Sequence, residues 1–308
     1  MASLLAQMGL PILFGIAWGI IKPSGLDAEL TRRVLATVVF NLLLPTLVLS
    51  VLWRSEIGLE ALKISLFGIG IIALGAAMMW LVSRFYTIRQ PLLGAAILAT
   101  AFPNVTYLGL PVLEQAFGPW TRSLVIQIDL FAAMPLVLVM GAAIGRHYGE
   151  GDKQGLNSIL RSLLANPPLI AAVLAVTLNL NGIPLPFWLG AMLDKLAAAV
   201  IPLMLLALGM GLNWNSLNRR NIPLSILVAA FRLAAVPFFG VMLGARLGFS
   251  GDKLAALVME AGMPSMMLGV VFCDRYRLDT AFYSMIVVLS TTIGLFSVAL
   301  WQELLTHY

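Results

Sequence analysis

Apolar residues run along this chain in long blocks, separated by short polar stretches. Each block has about 20 residues, enough to cross about 30 Å of hydrocarbon as a helix. The blocks predict ten spans, at roughly 3–21, 29–53, 59–83, 91–117, 122–146, 159–179, 187–212, 220–247, 252–274 and 278–303. The most polar segment, Gly145 to Ser158, joins the fifth and sixth spans and divides the chain near its middle. The expected fold class is an all-α polytopic membrane protein of ten transmembrane helices.

Composition supports this pattern. Of 308 residues, 60% are hydrophobic and 11% are charged, whereas a soluble domain carries about 25% charged residues. So few charges cannot cover a soluble surface of this size. The formal net charge of +5 resides in short loops, so it speaks to orientation in a bilayer and not to nucleic acid, which needs an aromatic-and-basic surface. Cys273 is the only cysteine, which excludes an intramolecular disulfide and a cysteine-based metal cluster. The N-terminal M-A-S-L-L-A-Q-M-G-L-P has no basic leader region and reads as the first span.

Loop charge sets the expected orientation. The odd-numbered loops hold twelve basic residues: Lys22, Arg32, Arg33, Arg84, Arg89, Arg146, Lys153, Arg161, Arg219, Arg220, Arg275 and Arg277. The even-numbered loops hold six: Arg54, Lys63, Arg122, Lys195, Arg246 and Lys253. The excess places the odd loops, with the loop 145–158, in the cytoplasm of a cell (inner) membrane, and both termini outside.

The halves resemble each other. Pro45 in the second span matches Pro202 in the seventh, an offset of 157, and Pro103 in the fourth matches Pro264 in the ninth, an offset of 161. Such offsets imply a repeat of about 160 residues, with units 1–158 and 159–308. Five spans per unit is an odd number, so the units lie inverted, as in many secondary transporters. Pro135 of the fifth span has no proline partner in the tenth.

A proline in mid-span removes a backbone donor and clashes with the preceding turn. Lipid cannot satisfy the freed carbonyls, so such breaks belong beside protein or a wet cavity. Matched breaks at Pro103 and Pro264 point to a midplane site between the halves. New half-helices begin there, and their free N–H groups favour an anion. Asn104 and Ser265 directly follow the two prolines, and Thr106 and Tyr107 extend the first half-helix. These side chains are candidate carboxylate binders, or caps of the half-helices. Asn41, one turn before Pro45, faces the same cavity or bonds between helices.

Three charged residues lie well inside spans, each at an insertion penalty of about 2.5–3.5 kcal/mol. Glu260 stands four positions before Pro264. With the unwound carbonyls that follow, Met263 included, it forms a candidate Na⁺ cage, or it carries a proton. Asp129 is a proton or cation site or a salt-bridge partner. Arg232 meets a second substrate carboxylate or, preferably, pairs with Asp129 or Glu260. Glu114 and Gln115 are candidate entrance residues. Gly15 and Gly19 form a G-x-x-x-G step suited to close helix contact, with a dimer as one use. His147 and His307 sit in a loop and a tail. No H-E-x-x-H, G-x-S-x-G or phosphate loop occurs, so neither hydrolysis nor ATP-driven transport is expected, and no cofactor beyond a coupling ion.

The segments F-P-N-V-T-Y-L-G-L-P-V-L-E-Q-A-F-G, G-M-P-S-M-M-L-G-V-V-F and F-N-L-L-L-P resemble the auxin efflux carrier family, which includes plant PIN-type carriers and bacterial malonate or malate carriers. The resemblance covers essentially the whole chain. It implies an elevator mechanism, with a usually dimeric scaffold (1–55 and 159–215) and a moving transport domain (56–158 and 216–308). It also implies substrate binding at Asn104 and Ser265. Ser265 departs from the Asn that plant carriers place there, and the lack of a long cytoplasmic loop resembles compact prokaryotic members. The stretch E-A-G-M-P-S is similar to the sodium-site segment of bile-acid symporters, which implies Glu260 as a ligand. The expected function is symport or other secondary transport of a mono- or dicarboxylate; a ligand-binding sensor or a channel would use the same pocket.

Overall fold

The computed structural model describes residues 2–55, 58–150, 161, 163–212 and 218–306. Much of the loop expected in the cytoplasm, with Lys153, lies outside the described residues, as does His307. Among the described residues the regular structure is helical, and the only backbone bridge is an isolated one. Its main helices are α1 (Ala2–Ile21), α2 (Ala28–Arg54), α3 (Leu59–Val82), α4 (Gln90–Ala101), α5 (Leu110–Phe117), α6 (Thr121–Tyr148), α7 (Pro167–Leu180), α8 (Phe187–Gly211), α9 (Ile222–Arg246), α10 (Gly251–Ala261), α11 (Gly269–Arg275) and α12 (Thr280–Thr306).

Six of these, α2, α3, α6, α8, α9 and α12, are long and apolar enough to cross a membrane. The expected spans 3–21 and 159–179 correspond to shorter apolar helices, and the first residues of the latter lie partly outside the described set. The expected spans 91–117 and 252–274 are each two helices, α4 with α5 and α10 with α11, separated at Pro103 and Pro264. The chain is a multi-pass membrane protein.

Local sequence explains where the helices start. Asp27 caps α2, its carboxylate accepting from the N–H groups of Glu29 (3.0 Å) and Leu30 (3.2 Å). Asn166 caps α7, accepting from Leu169 N–H at 3.1 Å, with prolines in the first turn where no donor is needed.

Four helical segments widen into π-type turns, at Val39–Leu43, Val105–Gly109, Asp129–Ala133 and Phe231–Ala235. Each lies just before a proline: Pro45, Pro111, Pro135 and Pro237. A proline ring crowds the carbonyl four residues back and offers it no donor, and a wider turn relieves that clash. At Pro237 the freed carbonyl is that of Leu233, which accepts instead from the Trp301 indole at 2.8 Å.

α1 packs on α8 and α7 on α2. A Cβ on Gly15 would come within 2.9 Å of the Gly209 Cα, so this backbone contact requires glycine. The G-x-x-x-G step therefore uses Gly15 inside the chain. Asn179 Nδ2 donates to the carbonyls of Trp53 (2.9 Å) and Ser55 (2.8 Å), tying α7 to the end of α2. The helices α3, α6, α9 and α12 surround α4 and α10 and bury the two breaks.

Candidate functional site

The two breaks meet. Asn104 N–H donates to the Pro264 carbonyl at 2.7 Å, and Met266 N–H donates to the Phe102 carbonyl at 2.9 Å. The unwound strands run antiparallel at Pro103 and Ser265. Backbone groups that lipid would leave unpaired thus satisfy each other across the chain.

Arg232 completes the junction. It is fully buried on the π turn of α9. Its Nε donates to Met263 O (3.0 Å) and its Nη1 to Thr100 O (3.1 Å) and Ala101 O (3.2 Å). Its Nη2 donates to Ala261 O. Thr100, Ala101 and Ala261 carry last-turn carbonyls of α4 and α10, and Met263 lies in the unwound stretch that follows α10. The expected pairing with Asp129 or Glu260 is not what forms: among the described residues Arg232 makes no ion pair. A rigid guanidinium fork reaches several carbonyls at once, as an ammonium does not. The same bonds alter the expected Na⁺ cage, because the carbonyls of Ala261 and Met263 already serve a cation.

Asn104 and Ser265 have different roles. Asn104 is buried, makes no side-chain cap, and its Nδ2 has no hydrogen-bond partner. It is an uncommitted donor. Ser265 is also buried, but its hydroxyl donates to Ala99 O at 2.8 Å and its N–H to Ser290 Oγ at 3.2 Å. The hydroxyl bond fastens the second break to the end of α4. The following helix, α11, begins only at Gly269, so Ser265 does not open a half-helix.

Two acids flank the junction. Glu260 is fully buried, and neither carboxylate oxygen has a hydrogen-bond partner. It lies against Gly109, where a Cβ would overlap its carboxylate. Asp129 and Arg232 are within electrostatic reach of it. Asp129 lies on the π turn of α6 and accepts from Thr106 Oγ1.

A cavity of about 530 Å³ opens beside the first break. Asn104, Thr106, Tyr107 and Asp129 line it from one side, and Arg32, Ala36, Phe40, Met204, Ala207 and Gly211 from α2 and α8. Met266 and Met267 border it after the second break. Asn41 is not in this wall; it is exposed, and its Nδ2 donates to Thr37 O at 2.8 Å within its own helix. A second cavity, of about 490 Å³, includes Ser50, Arg54, Arg122, Gln127 and Asp194. Glu114 accepts from Arg122 Nε at 2.7 Å and from its Nη2 beside this space, whereas Gln115 is exposed.

Residues 10–302 match the family described as membrane transport protein. The chain belongs to that family. Its sequence is 29% identical to an uncharacterized transporter of Methanothermobacter thermautotrophicus over 292 residues, 93% of each chain. It is 28% identical to an uncharacterized transporter of Methanocaldococcus jannaschii over 227 residues, covering 73% of this chain and 72% of the relative. The family match agrees with the resemblance to auxin efflux carriers. This is a transporter and not an enzyme.

Sequence reasoning missed what the transporter's α2 and α8 contribute to the cavity. Arg32 counted only as a loop charge, and Glu29 not at all. The available signal was an acid and a base one turn apart at the start of an apolar span. The π turns were missed too, although four mid-span polar candidates, Asn41, Thr106, Asp129 and Arg232, each precede a proline by four to six residues.

Proposed function

We propose that this transporter moves a small organic anion, a mono- or dicarboxylate, by secondary transport through the cavity beside the first break. The observation that carries this reading is Asn104, which borders the cavity at the helix break with Thr106 and Tyr107 and whose buried Nδ2 has no hydrogen-bond partner. A desolvated donor of this kind lacks only an acceptor, and leaving it unpaired costs about 1–3 kcal/mol. A substrate carboxylate supplies that acceptor.

An anion entering here meets Asp129 in the same wall. Two carboxylates at close range repel, so transport needs a positive charge or a proton to travel with the substrate. Asp129 and the unpartnered Glu260 are the groups to receive it. Arg232 already occupies the unwound carbonyls near Glu260, which favours a proton over Na⁺ as the coupling ion.

The architecture that suits this function has ten spans in two inverted five-helix units, 1–158 and 159–308. A scaffold (1–55 and 159–215) stays fixed while the transport domain (56–158 and 216–308) moves as an elevator. The cavity's position between α2 and α8 and the breaks supports that division. The basic odd loops support a cytoplasmic loop 145–158 and outside termini, and the exposed face of α2 is the surface for pairing two copies.

Uptake of labelled acetate, benzoate, malonate and succinate into proteoliposomes, under separate pH and Na⁺ gradients, tests the reading. Saturable uptake that rises when the outer side is made more acidic and is lost in Asn104→Ala is expected. Absence of saturable uptake for all four anions under every gradient would overturn it.

A further inference from the structure

The wall opposite Asn104 carries an ion pair that the proposed function does not use. Glu29 and Arg32, one turn apart at the start of α2, both line the cavity beside the first break. Arg32 Nε donates to one Glu29 carboxylate oxygen and Nη2 to the other, each at 2.8 Å. That is the two-pronged geometry by which arginine recognises carboxylates in general. Arg33 Nε also donates to Glu29, at 2.8 Å, from a side chain that is 71% exposed against 28% for Arg32. Of the two arginines, Arg32 belongs to the cavity and Arg33 to the surface.

A helical ion pair at this spacing normally contributes only a few tenths of a kcal/mol. An acid in the first turn of α2 is favoured there by the helix dipole. That accounts for Glu29 but not for the seat of Arg32. The Arg32 stem crosses to α8 and lies on Gly211, where a Cβ would come within 2.9 Å of the Arg32 Cδ. The same Cβ would strike the Met267 methyl, just past the second break. Glycine at 211 leaves space for Arg32 at the contact between the scaffold helices and the crossing. From there its charge reaches Tyr107, which adjoins Thr106 in the same cavity wall.

We infer that Arg32 is a second anion anchor of the cavity, and that Glu29 is a built-in carboxylate occupying it when no substrate is bound. This rests on the reading of the cavity as a carboxylate site. An incoming carboxylate takes the place of Glu29 on the Arg32 fork. Glu29 is not stranded, because Arg33 remains its partner. Two consequences follow from the exchange. Apparent affinity is reduced by the fraction of time that Glu29 holds Arg32. The anchor also belongs to α2 and not to the crossing, so it acts only while the crossing lies alongside α2, as it does here.

The test is calorimetric binding of succinate and of benzoate to the purified full-length chain, with thermal unfolding recorded for each variant. Arg32→Gln should weaken binding by about tenfold or more, the loss of one charge-assisted fork, and Arg32→Lys should weaken it less. Glu29→Gln should tighten binding by about threefold to tenfold. The double variant decides the mechanism: if Glu29 acts by occupying Arg32, Glu29→Gln has no effect in the Arg32→Gln background. Tightening that persists undiminished in that background would show general electrostatics and overturn the proposal. Affinity unchanged in Arg32→Gln, with binding still abolished by Asn104→Ala, would overturn the anchor alone and leave the carboxylate site standing. Failure of the unaltered protein to bind either anion would overturn both. A purely structural pair would shift the unfolding temperature of Glu29→Gln without tightening binding.

Discussion

The two helix breaks match in sequence position and differ in chemistry. At the first, Asn104 keeps its amide free, and a π turn bearing Thr106 and Tyr107 follows into the cavity. At the second, Ser265 is fastened to Ala99 O, and the apolar Met266 and Met267 follow before α11 begins. The backbone pairing between them is reciprocal, one N–H to one carbonyl in each direction. The side chains share no such symmetry. A donor directed at a carbonyl of the neighbouring helix braces the junction, and a donor without a partner is available to a ligand. Matched prolines therefore locate the crossing of the two breaks but do not set the side-chain bonding at each.

The change expected to affect both breaks most is Arg232→Leu. It removes the donors from four buried backbone carbonyls. Each buried acceptor left without a donor costs about 1–3 kcal/mol, so the loss of four is enough to prevent a stable fold in detergent. A thermal unfolding midpoint close to that of the unaltered protein would show that the breaks do not depend on it.

The next change separates the breaks. Asn104→Ala should abolish uptake yet leave the unfolding midpoint nearly unchanged, because its Nδ2 has no hydrogen-bond partner within the protein. Ser265→Ala should do the reverse. It should lower stability by about 1 kcal/mol through the lost bond to Ala99 while the KM for uptake stays within about twofold. Equal loss of uptake in both variants would erase the distinction.

Gly109→Ala should cost about 1–3 kcal/mol through overpacking, since the new methyl meets the Glu260 carboxylate. It should also alter the pH dependence of uptake, measured across matched gradients. Glu260→Gln should leave stability unchanged or slightly raised, because a neutral amide replaces a carboxylate that no residue pairs. Uptake should then no longer respond to a pH gradient. An unaltered pH profile in Glu260→Gln would remove Glu260 from the coupling step. Asn41→Leu should have the smallest effect, within about 0.5 kcal/mol, and leave KM unchanged, since Asn41 bonds only within its own helix turn.

Much of this was legible along the chain. Block length in the hydrophobic pattern specifies membrane helices, because the bilayer fixes how many apolar residues a helix needs to cross it. The prolines mark the breaks, because a missing N–H cannot be replaced locally. Pro45, Pro111, Pro135 and Pro237 each follow a widened turn, since a proline within a continuing helix crowds the carbonyl four residues back. The rest depends on residues far apart in sequence. Arg232 finds its acceptors at residues 100, 101, 261 and 263. Ser265 finds Ala99, and Arg32 settles on Gly211. Sequence alone thus located the two breaks, through the matched positions of Pro103 and Pro264. Only the tertiary structure decided which polar groups are satisfied by the protein and which are left without a partner, because hydrogen-bond satisfaction depends on neighbours that folding, not chain order, brings within 3 Å or so.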